Sequence, residues 1–141
     1  MTIEQELIYK LMDLYSDGSI FNLSAFNEMA FGHGEAFSPE KIFFVRAPKG
    51  HPLPYLTINR ISGVRMASHD GPNGSVESRF QISVFAPRYE LAKTLAAVVY
   101  HLQDYTSGTV AKVSFIGETD LFENDLKSHH TALDFIIRHY E

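Results

Sequence analysis

A chain of 141 residues, 45% hydrophobic and 21% charged, has the size and make-up of one globular domain and is long enough to bury about 68–70% of its unfolded surface. It contains no cysteine, which excludes a disulfide scaffold, a cysteine-based zinc site, an iron–sulfur cluster and a thiol nucleophile. The net charge of −5 argues against strong electrostatic binding to nucleic acid. Glu4 and Glu6 stand where a signal peptide would carry positive charge, and no apolar run approaches the ~18 residues of a membrane span.

Thr2 is placed to cap a first helix with an apolar stripe at Ile3, Leu7, Ile8, Leu11 and Leu14 or Tyr15, and "SDGS" at 16–19 stops it, with Gly18 as the expected C-terminal cap. Residues 20–38 are too apolar for a linker. Phe21, Leu23, Phe26, Met29 and Phe31 predict a short helix over 24–31, serving either as a core flap or as a segment that docks on a partner. "KIFFVRAP" reads as a first strand and the proline-rich "PKGHPLP" as an edge or corner. A second strand, "YLTINRISG", points Leu56, Ile58 and Arg60 one way and Tyr55, Thr57, Asn59 and Ile61 the other.

Residues 64–78 crowd turn signals at Asp70-Gly71, Pro72 and Asn73-Gly74, predicting a long polar hairpin loop that is either mobile or reserved for a partner. "RFQISVFAPRYELAKTLAAVVYHL" is a strand, a proline stop and a helix. Phe80, Ile82, Val84 and Ala86 alternate with polar residues, and Leu91, Leu95, Val98, Val99 and Leu102 then recur at helical spacing in a helix expected to run to Tyr105. A fourth strand, with Val110, Lys112 and Ser114 against Ala111, Val113 and Phe115, and a last strand, "HHTALDFIIRHY", complete the order α-β-β-β-α-β-β. The expected fold is α+β: one layered domain over residues 1–141, with a mixed, mostly antiparallel sheet of about five strands packed by an N-terminal helix and one long helix.

Chemistry is scarce along the chain. The seven histidines lack zinc-site spacing; His129 and His130, adjacent on a strand, face opposite sides, and the rest read as surface or turn residues. The acids of "GETDLFENDLKS" do not follow a calcium loop, no serine sits in GxSxG, and "GHG" and "GPNG" precede no helix that could receive a phosphate. Asp134, in "ALDFII", is the one carboxylate with apolar neighbours, and pairing with a base or exposure accounts for it. No catalytic residue, metal ligand or cofactor site is expected.

Pro54-Tyr55 opening a strand, the Gln81-to-Ala86 strand running into the helix from Tyr89, and the terminal Leu133-Asp134-Phe135 together resemble the tail-completion, or tail-terminator, family of long-tailed phages and phage-like particles over about residues 41–141. The resemblance implies a fold similar to tail tube proteins. It also implies a structural virion protein that caps the tail tube as a ring of six subunits, stops polymerisation and offers the surface for head–tail joining. The implied partners are further copies, the tube protein and the head–tail connector, with DNA only as passing cargo and no membrane. The implied place is the head-proximal end of the tail, reached through the host cytoplasm during assembly. Candidate contact residues for a neighbouring subunit or the tube are Arg65, His69, Asp70, Asn73 and Arg79 beside the hairpin, with Phe26 and Phe31 in the 20–38 flap. Two rival readings are a neck connector or minor tail component, and an α+β domain binding an apolar ligand in a pocket beneath its sheet.

Overall fold

The reciprocal capping box at Thr2 sets the start of α1 (Ile3–Ser16). The Thr2 hydroxyl accepts from the Gln5 N–H at 3.2 Å and the Gln5 side chain accepts from the Thr2 N–H at 2.9 Å. The helix stops at Asp17, not Gly18. Asp17 is in extended backbone and its carboxylate accepts from both the N–H and the hydroxyl of Ser19, so a side-chain turn replaces the left-handed glycine expected there. The computed structural model describes residues 2–30, 37–68, 71–123 and 128–140.

α2 (Leu23–Ala30) is capped by Asn22, whose side chain accepts from the Ala25 N–H at 3.0 Å. Phe21, Phe26 and Phe37 gather around Tyr15 with ring centroids 5.0 to 6.4 Å apart, mostly edge to face. Asn27 fastens the far end: its amide donates to the Phe37 carbonyl at 3.1 Å and accepts from the Phe37 N–H at 2.7 Å. These aromatic side chains of the 20–38 stretch therefore belong to the core.

Five strands form one sheet in the order β1-β2-β3-β5-β4, with β1 (Ile42–Phe44), β2 (Tyr55–Ser68), β3 (Gly71–Ala86), β4 (Val110–Glu123) and β5 (Ser128–Tyr140). β1 runs parallel to β2 and the other pairs are antiparallel, so the sheet is mixed and mostly antiparallel within an α+β layout. The first strand is only three residues long because Val45 turns out of it at φ 65°. That left-handed conformation costs a β-branched residue about 1–3 kcal/mol.

α1 and α3 (Tyr89–Val99) lie on one face of the sheet. Leu56, Ile58, Phe80, Ile82, Leu133, Phe135 and Ile137 meet them, each at most 1% exposed. The Tyr15 hydroxyl donates to the Leu95 carbonyl at 2.7 Å, tying one helix to the other. The long helix is shorter than its periodicity predicts. It tightens at Tyr100–Leu102 into a 3-10 turn, and Asp104 takes φ 67° as the chain turns towards β4.

Two strict alternations fail at bulges. In β4 the register skips Ala111 and Ile116, so Val110 and Val113 both reach the core, against the expectation that they face opposite ways. In β2 the register skips Ile61, which is left 52% exposed. The 64–78 stretch is also not the loop its turn signals predict. β2 and β3 stay paired through Val64↔Glu77 and Arg65↔Val76 and again at Ser68↔Gly71, making a ribbon. Backbone pairing needs no apolar face, so a polar arm conceals a strand from hydrophobic periodicity.

Candidate interaction surfaces

The sheet's second face carries no helix among the described residues. A row of rings crosses one end of it: Phe43–His51 at 4.8 Å, His51–Tyr55 at 5.6 Å, Tyr55–Phe85 at 5.1 Å and Phe85–His130 at 4.3 Å, the last two stacked. Each ring covers its neighbour's apolar face, which lets aromatic side chains sit on a face without a helix layer. Farther along, Asp134 accepts from Arg79 and from Gln81, both at 3.3 Å. The one carboxylate with apolar sequence neighbours is thus paired across the strands.

On the helix side, beyond the N-terminus of α1, the guanidinium of Arg60 lies 3.7 Å from Glu4. A Cβ at position 63 would come within 2.7 Å of Arg60 Nη2, so glycine there makes room for the arginine. Beneath it Ser78 Oγ and His139 Nε2 are 2.8 Å apart. A serine–histidine pair invites a catalytic reading, but both residues are 0% exposed. The contact pairs two buried polar atoms, Ser78 Oγ and His139 Nε2. His51 lies in a turn, its N–H donating to the Pro48 carbonyl at 3.0 Å, but the sequence expectation that histidines here are surface or turn residues fails at His139, buried in the core, and His130 is half-buried in the ring row. The strand pattern alone gave no sign of what would cover them.

The sheet's edges differ. β4 is the outermost strand, with Leu121 48% and Phe122 52% exposed. Lys93 of α3 bonds both Glu118 and Asp120 of this strand, and Asp120 also accepts from Thr131 at 3.2 Å. Burial works to raise the Asp120 carboxyl, but the hydrogen bond and charge of Lys93 outweigh it and hold the group below the usual carboxylate value. On the opposite edge, β1 and the segment after it enclose a hollow of about 620 Å³ lined by Phe43, Phe44, Arg46, Ala47, Pro48 and Lys49. Between α2 and α3 runs a groove of about 580 Å³, floored by Phe21, Phe26, Ala97 and Val98 and edged by Lys93 and His101. It lies on the helix layer, not beneath the sheet where an apolar-ligand domain was expected to keep its pocket.

Among the described residues no three histidine or carboxylate side chains group to hold a metal, and no helix is long and apolar enough to cross a membrane. Of the residues singled out in the sequence, Phe31, His69 and Asp70 lie outside the described ones. Arg65 is exposed on the ribbon opposite Val76, and Asn73 lies in β3 near its start. Arg79 pairs with Asp134 while staying half exposed, and Phe26, 2% exposed, belongs to the aromatic cluster and offers a partner little. The surfaces that sequence reasoning missed are the β4 edge and the β1 hollow. Their only sequence signals were the exposed side of "DLF" and the cations of "RAPK".

Residues 32–140 match the family model described as "Tail completion protein gp17". No curated protein matches the chain. Among solved structures, one chain from the "Virion of native gene transfer agent (GTA) particle" superposes with a TM-score of 0.62 at 17% identity, over 95% of this chain and 92% of that one. At that identity the likeness speaks for the fold, while the family match spans most of the sequence. The chain belongs to the tail completion protein gp17 family, and it is a structural protein of a phage-type virion tail.

Proposed function

We propose that this protein closes the growing tail tube as a ring of six copies, halts its polymerisation and presents the surface that meets the head connector. The observation that carries the reading is the uncovered sheet: one face without helices, an outermost β4 and an outlying ribbon, all on a chain whose only serine–histidine pair found among the described residues is sealed from solvent. Such surfaces are built to be covered by other subunits. A closed ring needs two different patches per copy, and this sheet has two unlike edges. The ribbon, with Arg65 and Asn73, is the proposed contact to the tube or to a neighbouring copy. The net charge of −5 gives passing DNA little to adhere to. The protein acts at the head-proximal end of the tail after assembly in the host cytoplasm, and no enzymatic step is assigned to it.

Deleting the gene from the particle that encodes it and measuring tails by negative-stain microscopy tests the reading. Overlong, headless tails are expected. Tails of normal length that fail to join heads would instead make the protein a neck connector, and unaltered particles would send attention to the α2–α3 groove as a ligand site.

A further inference from the structure

Strand register places the two unlike edges of the sheet at the same height. Asp120 lies opposite Thr131, Thr131 opposite Val84, Val84 opposite Leu56, and Leu56 alongside Ile42. Two rungs along, Glu118, Leu133, Ile82, Ile58 and Phe44 form a second line across all five strands. The rungs of Glu118 and Asp120 on β4 and of Phe44 and Ile42 on β1 therefore stand level, on opposite flanks of one sheet, and Leu121 and Phe122 follow just beyond them. A head-to-tail repeat that carries one copy's β4 towards the next copy's β1 brings Leu121 and Phe122 to Phe43 and Phe44 with a shift of two to four residues along the strands.

The two flanks also match in chemistry. Leu121, across from His130, is on the helix-free face together with Phe43, which is alongside Thr57. Phe122, across from His129, is on the helix side together with Phe44. All four side chains are at least partly exposed. Charge follows the same division. Glu118 and Asp120 share the single ammonium of Lys93, leaving one negative charge over. Arg46 and Lys49, on the rim of the hollow, are paired with no carboxylate among the described residues. Val45, between the lining residues Phe44 and Arg46 in sequence, is 67% exposed at φ 65°.

We infer that the β4 end of one copy, led by Leu121 and Phe122 with Asp120 behind them, seats in the hollow formed by Phe43, Phe44, Arg46 and Lys49 of a second copy. The contact is heterologous, so it repeats around a closed ring. The inference rests on the ring reading above and names the surfaces that would make it. It moves the subunit contact away from the ribbon and the 20–38 flap, leaving the ribbon for the tube.

The absence of cysteine makes the test direct, because every thiol is then an introduced one. The full-length Lys49→Cys and Leu121→Cys proteins are mixed and treated with a short bis-maleimide, beside a control mixture of Lys49→Cys with Lys112→Cys. Both introduced thiols of the test pair replace exposed side chains, so the fold is spared. The expected result is at least fivefold more cross-linked heterodimer from the first mixture, and a ladder of species from a chain carrying both Lys49→Cys and Leu121→Cys. Equal yields from the two mixtures would overturn the inference. A double variant that stops at dimers would overturn its head-to-tail form. Overlong tails after gene deletion, together with unselective cross-linking, would leave the terminator reading standing and retire this interface alone.

Discussion

The two faces of the sheet are made by the same strands and solve burial differently. On β3, Phe80 points to the helices and is 0% exposed, whereas Phe85 points away and is half-buried, with Tyr55 and His130 stacked against it. The helix side achieves coverage with a second layer of secondary structure. The other side achieves it with side chains alone, ring against ring and Arg79 against Asp134. What this teaches is that one sheet can cover its two faces by different means, a helix layer on one side and stacked rings and an ion pair on the other.

Two substitutions on one strand sharpen the contrast most. Phe80→Ala empties a fully buried site and is expected to cost about 3–5 kcal/mol in urea unfolding, while Phe85→Ala, losing a half-buried ring and two stacking contacts, should cost about 1–3 kcal/mol. Equal losses would mean that the second face is a core in its own right.

A smaller effect tests the joint between the helices. Tyr15→Phe removes the bond to the Leu95 carbonyl and should cost about 0.5–1.5 kcal/mol at neutral pH. Burial pushes the Tyr15 phenol well above the ordinary tyrosine value, so the folded state resists its ionisation. The sign follows: this contribution is fully present below pH of about 10, where the unfolded chain also keeps its proton, and is lost as pH rises further. Tyr15→Phe should therefore flatten the alkaline fall in stability measured by urea titration at stepped pH. An unchanged slope would assign that fall to Tyr105, whose phenol is also raised, first by burial. The smallest effect is on the helix-free face. Arg79→Ala breaks an ion pair whose arginine is 49% exposed, and should shift stability by less than about 1 kcal/mol. A larger loss would show the pair buried by something not in the free chain.

Where one face of a strand is apolar, the sequence was easy to read. Phe80, Ile82, Val84 and Ala86 declare β3 and its inward side because burial imposes a period of two, and Leu91, Leu95 and Val99 declare α3 through a period of 3.6. Period fails where the chain adds a residue: Ala111 and Ile116 bulge out, and no local pattern marks either. It fails again along the ribbon, where pairing is held by backbone and the side chains are small or polar. The parallel β1–β2 pair and the common height of the sheet's two flanks are matters of register between distant segments, which composition along one segment does not encode. The candidate surfaces were less legible than the core for that reason. Phe26 and Phe31 of the flap drew attention as docking groups, yet Phe26 packs on Phe21 and Phe37 in the core, and Phe31 lies outside the described residues.

Chain order has a kinetic consequence at β5. This strand lies between β3 and β4 in space but follows every other strand in sequence, pairing Arg79 with Ile136 and Val110 with His139. On a translating ribosome the β2–β3 hairpin and β4 emerge with no direct bond between them, and the sheet closes only when its middle member arrives. Long-range pairing of this kind slows folding. A copy cut short anywhere before residue 128 would lack the strand that joins β3 to β4, so its two edge strands would not belong to one sheet.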